Sequence, residues 1–279
     1  MQRRQFIQAS IGGAAAVGAA SDVARAQANG GEREVYEWRT YRFDEAAQPV
    51  EGQERVFAKR PREYFEVKHA LLHKYLQDAA LPAWKRMGLG PVGVFTETGP
   101  EAGPSIHVLI TYPHAAAVTT AREQLEQDAE YQQAAADYRQ AKRDDPAFVQ
   151  IESWLLLAFA AAPKITLPQQ GPRVLELRTY ANHNEATARR KIDMFNEGEI
   201  GIFPECGFQN VFFGEALIGG GLPCLKYMLA APSLEANAAG WKRFIASPKF
   251  AAMRDNPRYA DTEPKITRQY LEPAAYSQV

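Results

Sequence analysis

Residues 35–43 read VYEWRTYRF, and side chains of different character alternate along them. Tyr36, Trp38 and Thr40 share one parity; Glu37, Arg39 and Tyr41 share the other. A period of two describes a strand with two distinct faces. The pattern returns 139 residues later as VLELRTYAN, with Leu175, Leu177 and Thr179 opposed to Glu176, Arg178 and Tyr180. After each strand the period lengthens to that of a helix. Residues 64–88 place Leu72, Tyr75, Leu76 and Ala79 at helical spacing, and residues 184–207 do so with Ile192, Phe195 and Ile202. Each stretch closes on a proline and then a glycine, Pro82 and Gly88 in one, Pro204 and Gly207 in the other.

Both halves continue alike. Residues 91–113 and 210–232 predict hairpins, with turns at 98–104 and 219–223 rich in Gly and Pro. Helices follow over 115–140 and 233–255, then closing strands at FVQIESWLLL and KITRQYLEP. Each half is therefore β-α-β-β-α-β, the ferredoxin-like order. We expect an α+β chain of two such domains, 33–160 and 173–275, joined by a Pro- and Ala-rich linker near 163–172. Residues 44–62 have no counterpart in the second half and read as a charged loop. Two sheets that cover each other would close a barrel. The apolar parity should pack under the helices, so Glu37, Arg39, Tyr41, Glu176, Arg178 and Tyr180 are expected to face the barrel interior.

The E-x-R-T-Y strand at 37–41, PVGVFTE after a helix ending in LPAWKRMG, and the acidic helix with DAEYQQA together resemble the NIPSNAP family. The resemblance is close over 35–157 and looser over 174–273, where PECGFQNVFFGE and the glycine-rich turn depart from it. It implies tandem domains of the dimeric α/β-barrel fold, forming a pseudo-dimeric barrel within one chain. It brings little chemistry, because most members have no assigned reaction. The same fold also hosts cofactor-independent monooxygenases and haem-handling proteins, so fold alone does not separate a binding protein from an enzyme.

Composition narrows the setting. Arg3-Arg4, the apolar run IGGAAAVGAA and the small-x-small ARA at 24–26 read as an export signal of the twin-arginine type. The run is shorter than the ~20 residues a spanning helix needs. The expectation is a periplasmic or secreted protein starting near Gln27, with no stable membrane insertion after cleavage; retention of the leader as an anchor stays open. Residues 1–26 hold three Arg and one Asp, so the remainder carries 29 basic and 32 acidic residues. That balance argues against nucleic acid as a partner. Cys206 and Cys224 flank a predicted hairpin, which separates them beyond disulfide reach and predicts free thiols. The sequence leaves open whether further copies of the chain assemble.

The repeated Glu-Arg-Tyr parity is the strongest chemical feature. Charges in an interior must be paired. Two readings follow: a self-satisfied ion-pair network, or a polar pocket in which Arg39 or Arg178, with Tyr41, Tyr180, Glu37, Glu176 and His107, receives a small anionic or carbonyl-bearing ligand. His69 and His73 share a helix face, but KHALLHK lacks H-E-x-x-H, and no metal or cofactor is expected. Nucleophile and phosphate-loop motifs are absent. Trp84, Trp154 and Trp241 read as core. The primary expectation is a binding or interaction protein; the alternative is an enzyme of the monooxygenase or haem-handling type.

Overall fold

The computed structural model describes residues 33–43 and 62–279, residues 62 and 63 by their backbone only. The expected leader and nearly all of the 44–62 loop lie outside the described residues. Strands β1 (Val35–Arg42), β2 (Val92–Thr98), β3 (Ile106–Tyr112) and β4 (Gln150–Ala158) come from the first half. Strands β5 (Val174–Ala181), β6 (Gln209–Ile218), β7 (Cys224–Ala231) and β8 (Lys265–Pro273) come from the second. They close into a barrel in the order β1-β3-β2-β8-β5-β7-β6-β4, every pair antiparallel. The halves join through β2–β8 and β4–β6, so no sheet edge is left unpaired.

Helices cover the outside. In the first half α1 (Arg62–Tyr75) runs through a π-helical turn, Leu76–Ala80, into α2 (Leu81–Arg86); α3 (Ala116–Gln127), α4 (Ala129–Ala134) and α5 (Ala136–Arg139) follow β3. In the second, α6 (Glu185–Met194) runs through a π-turn, Phe195–Glu199, into α7 (Ile200–Glu205); α8 (Leu234–Ala246) and α9 (Pro248–Arg254) follow β7. Side-chain caps start several of them: Asn184 accepts from Thr187 N and Ser233 from Ala236 N. Gly88 (φ 73°) and Gly207 (φ 86°) follow α2 and α7 in the left-handed conformation that ends a helix. The repeat thus extends to a π-turn, which periodicity alone did not distinguish from an α-helix.

The expected face assignment is reversed. Tyr36, Trp38, Leu175 and Leu177 point into the barrel, where they pack with Phe95, Phe212, Met228 and Leu271. Tyr41 and Tyr180 instead join the two cores beneath the helices. Both faces of this sheet are covered, so apolar character does not tell which one meets the helices. An eight-stranded barrel is narrow enough for its own side chains to fill, and here Trp38 stacks on Phe95 (5.8 Å) and on His107 (5.4 Å) within it. The Glu-Arg pairs lie where loops and helices can bring them polar partners. Both cysteines are free and buried. Trp84 is core, at 2% exposure, whereas Trp154 and Trp241 are only partly buried.

Candidate functional site

The two Glu-Arg-Tyr sets occupy equivalent places under the two helix layers, but their surroundings differ. In the first half Arg39 donates Nε and Nη2 to Glu37 Oε1 at 3.0 and 2.8 Å, and Nη1 to Tyr41 Oη at 3.3 Å. Glu37 also accepts from Ser153 Oγ (2.8 Å) and Tyr112 Oη (3.0 Å). Burial would raise the Glu37 pKa, yet Arg39 and these hydroxyls hold it below the usual carboxylate range. The space above is filled: Tyr138 of α5 stacks on Tyr75 at 3.7 Å, and Phe148 meets Tyr41 edge-on at 5.5 Å. This is the self-satisfied network.

In the second half Glu176 turns to the helix layer. Its Oε2 accepts from Asn237 Nδ2 at 2.7 Å and Trp241 Nε1 at 2.5 Å, both from α8. Its Oε1 lies 3.1 Å from Arg178 Nε, without the alignment of a hydrogen bond. Arg178 lays its guanidinium over the Trp241 ring, 3.8 Å from the centroid, and donates Nη1 to Tyr180 Oη at 3.3 Å. Tyr227 Oη donates to Tyr180 Oη at 2.8 Å. The Tyr227 hydroxyl is a further hydrogen-bond neighbour of the Arg178 guanidinium. Burial works against the Arg178 charge, but the oxygens of Tyr227, Tyr180 and Glu176 outweigh it and hold the pKa above its ordinary value. Burial also pushes the Tyr180 hydroxyl up to about 12, so it stays protonated.

Over this triad lies a cavity of about 1210 Å³, lined by Arg178, Tyr180, Lys191, Glu199 and Trp241 with Met194, Phe244, Phe250 and Ile266. Lys191 Nζ and Glu199 Oε2 form a buried ion pair at 2.8 Å. Burial raises the Glu199 pKa, and Lys191 and then Arg178 oppose that rise. Counting from the glycines that end the two helical stretches, Lys191 and Glu199 stand where the first half has Leu72 and Ala80, both fully buried apolar residues. Lys191, Glu199, Asn237 and Trp241 were missed as site residues from the sequence. Aligning the two Pro-Gly helix ends would have found the first two.

His107 belongs elsewhere. It sits inside the barrel, 1% exposed, with Nε2 on Glu97 Oε1 (2.8 Å) and Nδ1 on Thr40 Oγ1 (3.0 Å). Burial lowers its pKa despite Glu97, so the ring is neutral; Nε2 then donates and Nδ1 accepts. The order hydroxyl–imidazole–carboxylate resembles a catalytic relay, but Thr40 and His107 are 3% and 1% exposed and Trp38 stacks on the imidazole. Nearby Lys226 donates to Thr179 Oγ1 at 2.8 Å and lies over Trp154, and burial brings its pKa down to about 8. His69 and His73 lie on α1, and His73 Nδ1 bonds Tyr276 Oη, so the three histidines do not converge. Among the described residues no group of three His, Cys, Asp or Glu side chains could hold a metal ion.

Residues 175–278 match the NIPSNAP family model. The match falls on the half whose sequence resemblance was the looser, not on 35–157. A provisionally assigned monooxygenase from Fusobacterium nucleatum subsp. nucleatum shares the fold at a TM-score of 0.52 and 9% identity, over 86% of this chain and 92% of its own. An uncharacterised NIPSNAP-like domain protein from Burkholderia xenovorans is 19% identical over 39% of this chain and 92% of its own, with a TM-score of 0.34. A haem-binding protein from Thermus thermophilus is 12% identical over 88% of this chain and 92% of its own, at 0.44. No curated protein matches the sequence.

Proposed function

We propose, starting from a chain whose second half is a NIPSNAP domain, that it is a small-molecule-binding protein with one site, the second-half cavity. One observation carries this reading: equivalent positions are apolar and filled over Arg39, but charged and open over Arg178. Burying Lys191 and Glu199 where Leu72 and Ala80 suffice elsewhere costs stability, which a purely structural role leaves unexplained. A concave site with an apolar, aromatic wall and convergent polar groups is the usual form of a ligand pocket. The test is thermal unfolding against a panel of small aromatic and aliphatic acids, phenols and ketones. Members that bind raise the melting temperature of the wild type and not of Ala238→Trp, which sets a bulky ring at an exposed position of the cavity lining. A panel without effect, or with equal effect on both proteins, contradicts the reading.

Glu199, a carboxyl with raised pKa in the same cavity, favours a second reading, an enzyme that moves a proton on the bound molecule. Turnover of a bound panel member that Glu199→Gln abolishes without loss of binding would establish it; unchanged turnover would remove Glu199 from that role. A histidine-ligated haem does not fit this lining, whose one imidazole, His183, is exposed. The leader supports export by the twin-arginine route to the periplasm or beyond, with mature protein beginning near Gln27. N-terminal sequencing of that protein decides: a start at Met1 contradicts cleavage.

A further inference from the structure

The charges around the cavity restrict the head group of its ligand. Of the two cations at the inner end, Lys191 is committed to Glu199 at 2.8 Å. Arg178 spends Nη1 on Tyr180, rests against Glu176 through Nε and has the Tyr227 hydroxyl as a further neighbour. Its guanidinium lines the cavity, where its open side can donate to a ligand. Glu176 and Glu199, 0% and 2% exposed, flank it. A second negative charge at the inner end would meet these carboxylates, and the remaining lining cations, Arg254 and Arg268, are exposed on the rim rather than beside Arg178. The rim carries both signs, with Arg254 and Arg268 alongside Asp261 and Glu263, and Arg254 pairs with Asp255 at 2.8 Å. The wall beyond Arg178 is apolar and mostly aromatic: Met194, Trp241, Phe244, Phe250 and Ile266.

We infer that the cavity takes a monocarboxylic acid with an apolar, ring-bearing body, its carboxylate on Arg178 and its body along Phe244 and Phe250. The inference rests on the small-molecule reading above and adds the chemical class. A carboxylate accepts charge-assisted bonds from the guanidinium that an amide of the same shape cannot match. A phosphate monoester offers stronger acceptors but brings the second charge. With the acid bound, the buried ensemble holds Arg178 and Lys191 against Glu176, Glu199 and the ligand. The ligand's charge would disfavour the charged form of Glu199, in the same direction as its burial.

Isothermal titration of the full chain with 2-naphthoate, 2-naphthamide and 2-naphthyl phosphate tests this. The acid should bind roughly tenfold or more tightly than either analogue, as loss of a charge-assisted bond in a dry site implies. Arg178→Met should bring the acid down to the level of the amide. Arg178→Lys, which keeps the charge without the forked geometry, should fall between them, so the comparison survives if the Met variant does not fold. Ala238→Trp should remove binding of all three. If the amide or the phosphate ester binds as tightly as the acid while Ala238→Trp still blocks it, this inference is wrong and the site stands. If no probe binds, or Ala238→Trp changes nothing, both fall together.

Discussion

Arg39 and Arg178 show how little separates a structural ion pair from a binding group. Both lie two residues from a glutamate on the same strand face, and both reach a tyrosine two residues on. What differs is the partner's commitment: Glu37 accepts twice from Arg39, whereas Glu176 gives one oxygen to α8. Removing Arg39 leaves Glu37 buried with hydroxyl partners only, so Arg39→Met should cost about 3–5 kcal/mol in denaturant unfolding. Arg42→Met should cost under ~1 kcal/mol, because the Arg42–Glu152 pair is about 28% exposed on each side and screened. Glu37→Leu added to Arg39→Met should recover much of the loss. Equal, small effects of Arg39→Met and Arg42→Met would show that Arg39 is not the buried member. The pairing and the shared face of these residues were legible in the sequence. Which face met the helices was not, because both are buried and alternation has no sign.

At the scale of elements, the order β-α-β-β-α-β and most boundaries follow from period and turn residues; β8 spans Lys265–Pro273, the stretch expected. The π-turns did not show, because one extra residue in a helical turn barely disturbs an apolar stripe. They nevertheless set the register that carries Glu199 to the cavity. Replacing the pair by its first-half counterparts, Lys191→Leu with Glu199→Ala, removes two buried charges together. The double variant should unfold at the same denaturant concentration as the wild type or higher, by up to ~1–4 kcal/mol. Lys191→Leu alone should be strongly destabilised, since Glu199 then lacks its cation. A double variant as unstable as the single one would mean that the pair holds the fold together.

For the whole molecule, the buried histidines, His107 among them, contribute to the response to acid. The His107 imidazole pKa is depressed by burial, so the unfolded chain binds a proton more readily than the folded one below the ordinary value of 6.5. His107 therefore contributes stability that is present above pH 6.5 and lost as pH falls through the depressed value. His69 and His73, also depressed by burial, act with the same sign. The melting temperature should fall as pH is lowered from 7 to 5, and His107→Gln should flatten part of that slope. A slope unchanged in His107→Gln would place the proton uptake on the other two histidines.

The central claim is that two copies of one design have diverged, one filled and one open. The most direct measurement is the stoichiometry of binding by calorimetry, using whichever naphthyl probe binds, on wild type, Ala238→Trp and Tyr138→Ala. The account predicts one ligand per wild-type chain, none for Ala238→Trp, and a second binding event only in Tyr138→Ala, where the first-half space is emptied. Two ligands per wild-type chain, or one that survives Ala238→Trp, would contradict it.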